Sequence, residues 1–243
     1  MAMSDAMTEL RDRLIFALDV PDIHQAKNLV AELSDSVTFY KIGMELMMTG
    51  QYFELLDWLI GRDKKVFVDL KLFDVPATVA KAVKKLSKRG AYFTTIHGNQ
   101  LMMEAAAAEK GNLKILAVTA LTSLDQGDID DMGFQCDIQE LVVSRARRAL
   151  TSGCDGIVAS GLELEHIRNE VGEKLLIVTP GIRPVENRPT DDQKRVVSVE
   201  QAFERGANYI VVGRPIQNAD HPKEAAELIQ ESIQESIQSA LDV

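Results

Sequence analysis

The sequence has few cysteines and fewer cations than anions, and each shortage argues against a class of protein. The two cysteines, Cys136 and Cys154, form no CxxC pair, and no Cys or His cluster has zinc spacing. These features argue against a disulfide scaffold and a structural zinc site. Lys and Arg number 27 against 37 Asp and Glu, which gives a formal net charge of −10. Because a phosphate backbone is bound by an excess of cations, we expect no nucleic acid partner.

Long apolar segments are also missing. No uncharged apolar run reaches the roughly 18 residues that a membrane span needs. Residues 1–13 lack an apolar core of signal-peptide length. The sequence therefore predicts a cytoplasmic protein with no membrane partner.

What the chain does contain is a regular alternation of β-branched runs with segments of helical period. The eight predicted strands are Arg13–Asp19, Val37–Ile42, Val66–Leu72, Tyr92–His97, Leu113–Val118, Gly156–Ala159, Leu175–Val178 and Tyr209–Val212. The clearest predicted helices are Asp22–Leu33, Glu45–Ile60, Thr78–Arg89, Ile138–Ser152 and Pro222–Leu241. Strands that alternate with helices run parallel, and eight such repeats close a (β/α)8 TIM barrel.

The domain organisation follows from the same pattern. At 243 residues the chain could form two small domains or one barrel, and no Pro, Gly or Ser-rich linker divides it. An open doubly wound sheet is the alternative fold, but it usually carries GxGxxG after the first strand, where this chain has none. We therefore predict a single barrel domain over residues 1–243. Residues 1–12 would form an N-terminal extension, and residues 230–243 would end the last helix.

Charged residues stand at the carboxyl ends of the first three predicted strands, where an apolar residue is expected. They are Asp19, Lys41, Asp69 and Lys71. Because side chains alternate along a strand, Asp69 and Lys71 share one face, which points into the barrel mouth if Leu70 packs outward. The mouth is the active-site face of this fold, so the four charges predict a site for a small polar ligand. The alternative is a buried ion-pair network without catalytic function.

Two further residues follow the third strand and have two interpretations. Asp74 precedes Pro76 at the head of a predicted helix, and Thr78 lies in its first turn. An Asp before a Pro-led helix is an ordinary N-cap, and Asp74 is equally compatible with a place in the charged site. His97, which ends the fourth strand, fits either a ligand-binding role or a hydrogen-bonded structural role.

A second cluster lies after strands seven and eight, whose loops commonly bind phosphate in this fold. The seventh strand leads into Thr179–Pro184 and the eighth into Val212–Ile216, with Gly213 and Arg214 in the second segment. Glycine lets the backbone approach an anion, and an arginine can bind it through two donors. The two loops together predict a phosphorylated small molecule as the ligand.

The charged strand and both loops resemble one family closely. Residues 67–78 read FVDLKLFDVPAT, which is similar to the DxKxxDIPxT signature of orotidine 5′-monophosphate decarboxylases. The segments 16–19, 40–43, 118–123, 179–184 and 212–216 agree with the same family in order. The resemblance covers residues 13 to 230. It implies cofactor-free and metal-free decarboxylation of orotidine 5′-monophosphate to UMP, the last step of de novo pyrimidine nucleotide synthesis.

The resemblance also implies residue roles. Lys71 would protonate the C6 carbanion, with Asp69 beside the substrate carboxylate and Lys41 and Asp74 completing the alternating charges. Asp74 and Thr78 would reach into the neighbouring subunit's site in a homodimer. The implied substrate contacts are Asp19 and Lys41 on the ribose, Thr122 on the pyrimidine, and Pro180, Arg183, Gln193, Gly213 and Arg214 at the phosphate.

Two other functions remain compatible with parts of the pattern. A metal-dependent sugar-phosphate decarboxylase or aldolase of the same superfamily would share the DxKxxD element, but the 121–123 block with Gln193 favours a nucleotide. A catalytically silent phosphate-binding protein on the same fold is the second alternative. The complete set of carboxylates argues against it, because a simple binder of an anion gains nothing from them.

Overall fold

The computed structural model describes residues 10–183 and 196–241, and these residues build a closed barrel of eight parallel strands. Each strand pairs with its neighbours in sequence, and β8 closes the barrel on β1. The strands are β1 Leu14–Ala17, β2 Phe39–Ile42, β3 Lys65–Leu72, β4 Phe93–His97, β5 Lys114–Val118, β6 Gly156–Val158, β7 Leu176–Thr179 and β8 Tyr209–Val212. The predicted (β/α)8 barrel is confirmed. Residues 1–9 of the predicted N-terminal extension and residues 242–243 lie outside the described residues.

Helices follow the strands and surround the barrel. They are α1 Ile23–Leu33, α2 Met44–Met47, α3 Tyr52–Ile60, α4 Pro76–Leu86, α5 Gln100–Glu109, α6 Gln126–Asp131, α7 Ile138–Thr151, α8 Leu164–Val171, α9 Val199–Glu204, α10 Arg214–Gln217 and α11 Pro222–Leu241. Short 3-10 turns at Ser87–Arg89 and Gly172–Lys174 extend α4 and α8. The predicted last helix has its expected bounds.

One predicted helix is wrong. The segment Glu45–Ile60 forms two helices, α2 and α3, instead of one. Gly50 lies between them with φ 79°, a left-handed conformation that a helix interior does not contain. The apolar period continues across the break, so the pattern by itself suggested one helix.

Alternation along the strands separates two layers of core. Ile15 and Ala17 of β1 belong to a small cluster with inward residues of other strands, such as Phe67, whereas Leu14 and Phe16 pack in the large cluster with the helices. Continuing this alternation, Asp19 falls on the inward side. The burial of both strand faces explains why the strands read as continuous apolar runs until the charges begin.

The last helix is held by an isoleucine stripe. Ile233 of α11 is buried, and Ile229 and Ile237 pack partly buried against the large core cluster. Their spacing of four residues places them on one helix face. The stripe attaches α11 to the barrel.

Candidate active site

Four charged side chains from three strand ends meet at the mouth of the barrel. Nζ of Lys41 lies 2.9 Å from Oδ1 of Asp19 and 3.7 Å from Oδ2 of Asp69. Nζ of Lys71 lies 2.9 Å from the same Asp69 oxygen. The charges therefore alternate in the order Asp19, Lys41, Asp69, Lys71.

Asp69 is the buried centre of this array, with 9% of its surface exposed. Burial by itself would raise the pKa of Asp69, but Lys41 and Lys71 nearby, with hydrogen bonds from Lys71 and Thr95, hold that pKa below its ordinary value. Asp69 is therefore ionised at neutral pH. A fixed carboxylate at this point places a negative charge next to a ligand bound in the mouth of the barrel.

The backbone of β3 changes register where it presents Lys71. The pairing of β3 with β4 shifts between Val68 and Leu72, and Lys71 has φ 47°. A left-handed conformation at a residue other than glycine costs about 1 to 3 kcal/mol, and such strained residues cluster at functional sites. Leu70 and Leu72 still pack against the outer core cluster, as the alternation predicted.

Thr95 of β4 supports this local geometry. Its hydroxyl accepts a hydrogen bond from the Lys71 backbone N–H at 2.9 Å and donates one to Oδ1 of Asp69 at 2.8 Å. Thr95 is fully buried. Sequence reasoning missed this residue, although a polar side chain on the inward face of a barrel strand was a signal for it.

The charged array lines one side of a cavity of ≈ 600 Å³. Apolar side chains that include Phe67, Val118 and Val158 form another part of the wall, and Thr122 lies among the lining residues. A volume of this size holds a small ligand, and its combination of an apolar wall with a few polar groups is typical of ligand sites.

The predicted phosphate loops line the same cavity. Pro180 and Arg183 come from the segment after β7, and Gly213 and Arg214 from the segment after β8. The predicted residue Gln193 lies outside the described residues. Gln217 and Asn218, in the turn after β8, also line the cavity, and sequence reasoning missed them. Their place three and four residues after Arg214, one helical turn away, was a signal for them.

Asp74 and Thr78 are exposed and do not belong to the residues that line this cavity within one chain. Oδ1 of Asp74 accepts a hydrogen bond from the Val75 N–H at 2.6 Å. The N-cap position of α4 is occupied by Val75, and no side chain caps the helix. The alternative interpretation of Asp74 as an ordinary N-cap is therefore wrong.

His97 is the last residue of β4. Its ring centroid is 4.9 Å from that of the exposed Phe73, and it does not line the cavity. Burial, then the charges of Arg145 and Lys71, lower the pKa of His97. The imidazole is therefore neutral at physiological pH.

Two features are absent from residues 10–183 and 196–241. Within these segments, no group of three or more His, Cys, Asp or Glu side chains is arranged to hold a metal ion. No helix in the same segments is both long and apolar enough to cross a membrane.

Comparison with known proteins shows the family of this chain. A model of the orotidine 5′-phosphate decarboxylase / HUMPS family matches residues 12–229. An orotidine 5′-phosphate decarboxylase of Methylococcus capsulatus is 63% identical over 233 residues, which is 96% of each chain. One from Stenotrophomonas maltophilia is 53% identical over 236 residues, 95% of this chain and 97% of the other.

Solved structures agree with these relatives. The crystal structure of orotidine 5′-phosphate decarboxylase from Lactobacillus acidophilus superposes with a TM-score of 0.80 at 34% identity, covering 91% of this chain and 99% of that one. The similarity therefore extends over most of this chain.

Proposed function

Because this chain belongs to the orotidine 5′-phosphate decarboxylase / HUMPS family, we propose that it removes CO2 from its substrate without a cofactor and that Lys71 protonates the product carbon. The reaction is the decarboxylation of orotidine 5′-monophosphate to UMP in pyrimidine synthesis. The observation that carries the mechanism is the alternating array of Asp19, Lys41, Asp69 and Lys71 at a cavity of nucleotide size.

The chemical difficulty is the electron pair left on C6. The bond between C6 and the carboxylate breaks, CO2 departs, and the pair stays on a ring carbon that no carbonyl can delocalise. The ammonium of Lys71 beside C6 stabilises this charge and then donates its proton to C6. UMP is the product, and the neutral amine regains a proton from solvent. Asp69 next to the substrate carboxylate disfavours the bound ground state, which lowers the remaining barrier.

Binding of the rest of the nucleotide supplies the energy for this arrangement. Asp19 and Lys41 hold the ribose hydroxyls, and Thr122 contacts the pyrimidine. The phosphate is held by Arg214, the Gly213 backbone and the adjoining residues Pro180, Arg183 and Gln193. Interactions with a phosphate far from C6 can offset the desolvation of the charged array.

The metal-free reaction is tested with purified protein in EDTA. We expect orotidine 5′-monophosphate to lose its orotate absorbance and to release CO2 in equal amount. In D2O the UMP formed should carry deuterium at C6, because the ammonium protons exchange with solvent. Activity that disappears in EDTA and returns with Mg²⁺ would contradict the cofactor-free mechanism.

The proposal includes a homodimer in which Asp74 and Thr78 complete the partner's site. Phe73 and Val75, which flank Asp74 in the sequence, are 68% and 63% exposed. Neighbouring exposed apolar side chains of this size are typical of an interaction surface. A second copy seated there would bury them and bring Asp74 towards a Lys71 of the other chain.

Mixed dimers test this arrangement. Lys71→Ala and Asp74→Asn proteins should each be inactive, and a hybrid should regain one intact site, since its Lys71 and Asp74 then come from different chains. Mixing and refolding equal amounts should restore about a quarter of wild-type activity if chains pair at random. Absence of recovery, with dimers confirmed by sedimentation, would place Asp74 in its own chain's site.

The location of the enzyme is proposed as cytoplasmic. Its substrate and product are multiply charged nucleotides, which do not cross an apolar bilayer unaided. Cell fractionation followed by the activity assay checks this, and activity in a membrane or exported fraction would contradict it.

A further inference from the structure

Arg145 of α7 reaches from the helix layer to the end of β5. Its Nη1 donates a hydrogen bond to the backbone carbonyl of Thr119, one residue beyond the strand. The guanidinium carbon lies 5.5 Å from the centre of the Phe134 ring. Arg145 is half-buried and Thr119 is buried, so this contact is largely sheltered from water.

Arg145 is a sheltered cation that lacks a carboxylate partner among the described residues. Within the described segments it forms no salt bridge with a carboxylate, and burial lowers its pKa. A sheltered cation without a counter-charge is costly, and such groups are commonly retained for a reason other than stability. We therefore look for the role of Arg145 in its hydrogen bond to Thr119.

That hydrogen bond fixes the orientation of one peptide plane. Because the peptide group is planar and trans, a carbonyl of Thr119 directed at Arg145 turns the N–H of Ala120 away from it. Thr119 is also held on its other side, since its N–H and its hydroxyl both donate to the Val158 carbonyl, at 3.2 and 2.9 Å. Ala120, Leu121 and Thr122 follow directly and line the substrate cavity.

The stem of Arg145 also braces the end of β4. A Cβ atom at Gly98 would lie 3.2 Å from Cδ of Arg145 and 3.0 Å from the carbonyl oxygen of Val118. Only a glycine leaves room for this close packing without a shift of its neighbours. Arg145 thus contacts the segments after both β4 and β5, next to His97.

We propose that Arg145 is a positioning residue that sets the segment 119–122 for recognition of the pyrimidine ring. It does not contact substrate, and it acts through the Thr119 peptide. The inference rests on the proposed function, in which Thr122 meets the base. Loss of Arg145 should therefore weaken binding of a ligand that has a base more than binding of the same ligand without one.

The test compares UMP with ribose 5-phosphate, which lacks the base. In Arg145→Met we expect the Kd for UMP to rise about tenfold, as for loss of a hydrogen bond with a charged donor. The Kd for ribose 5-phosphate should stay within about twofold of wild type, since its contacts lie elsewhere in the cavity. The control is Arg147→Met on the same helix, where an exposed arginine pairs with Glu170 at 2.7 Å. This control should leave both affinities unchanged.

Two further readouts separate positioning from general damage. The Arg145→Lys protein, which keeps a donor and much of the stem, should bind UMP with intermediate affinity. If Arg145→Met does not fold, the UMP and ribose 5-phosphate affinities are compared in Arg145→Lys instead. In NMR titrations the pKa of His97 should rise in Arg145→Met, because a neighbouring cation is lost, and stay unchanged in Arg147→Met.

Opposite results would overturn the inference. Equal weakening of UMP and ribose 5-phosphate would show a purely structural role, and unchanged UMP affinity in both Arg145 variants would show no role at all. These outcomes are distinct from failure of the proposed function, which would appear in the wild-type protein as an inability to release CO2 from orotidine 5′-monophosphate.

Discussion

At the base of the barrel, where the strands begin, Lys65 pairs with Asp12 and its Nζ lies 4.6 Å from the centre of the Tyr92 ring. At the mouth, where the strands end, Lys41 and Lys71 both pair with Asp69. The two ends thus use the same residue types. They differ in what surrounds the charges.

The base is filled with aromatic rings. Phe93 lies 5.3 Å from the rings of both Phe39 and Tyr209, and Nζ of Lys114 donates to the Tyr92 hydroxyl at 2.8 Å. The mouth instead opens into the cavity of ≈ 600 Å³. In this barrel the charges at the mouth face a cavity, whereas rings cover the charges at the base, so we expect the first group to act in function and the second in packing.

The largest effect is expected from breaking the mouth array at its centre. Asp69→Asn removes the carboxylate between Lys41 and Lys71, so kcat should fall about 10³-fold. Steady-state decarboxylation measures this, with the exposed Asp35→Asn as the matched control. A loss below tenfold would mean that Asp69 is as structural as the base charges.

A smaller loss is expected at the phosphate end of the cavity. Arg214→Ala removes a cation that would bind the phosphate through two donors, so KM should rise about 10²-fold. Arg214→Lys keeps the charge but loses the paired geometry and should recover part of the affinity. If KM stays at the wild-type value in both proteins, Arg214 does not hold the phosphate.

A substitution at the base of the barrel should lower the stability of the protein and leave its activity unchanged. Lys65→Met leaves the buried Asp12 without its cation, and we expect a loss of about 2 kcal/mol in the free energy of unfolding, reduced by the partial exposure of Lys65. Urea denaturation measures it, with the exposed Lys174→Met as control. The kcat/KM of the folded enzyme should stay within about twofold. If Lys65→Met lost much of its activity but kept its stability, the base of the barrel would also act in function, which would contradict this account.

The smallest effect concerns His97 beside the mouth. Its folded pKa is lowered, so an unfolded chain takes up a proton near pH 6.5 while the folded chain resists it. The free energy of unfolding should therefore decrease as the pH falls below about 6.5. His97→Gln should reduce this dependence by less than about 1 kcal/mol between pH 7.5 and 5.5. The exposed His221→Gln should keep it, and identical pH profiles for both variants would contradict the assignment.

Much of the fold and of the mouth could be predicted from the sequence. Strands buried on both faces leave continuous apolar runs, so a charge such as Asp19 or Lys41 at a strand end stands out. Alternation then correctly assigned Asp69 and Lys71 to one face. The loops after the seventh and eighth strands were also predicted as a phosphate site from their residues, and Gly213 and Arg214 of the second loop line the cavity.

The rest depends on contacts between distant segments, which periodicity does not contain. The left-handed Lys71 depends on a register shift against β4, and the role of Thr95 depends on which strand lies beside β3. The break at Gly50 interrupts an apolar period that looked continuous. The dimer roles of Asp74 and Thr78 require a second chain and stay predictions.

The most direct test of the central claim, that Lys71 at the mouth carries the proton transfer, is a single-turnover measurement on Lys71→Ala. We expect the rate of CO2 release from bound orotidine 5′-monophosphate to fall by about 10³-fold or more, while UMP still binds with an affinity within about tenfold of wild type. A Lys71→Ala protein that releases CO2 at the wild-type rate would contradict the account.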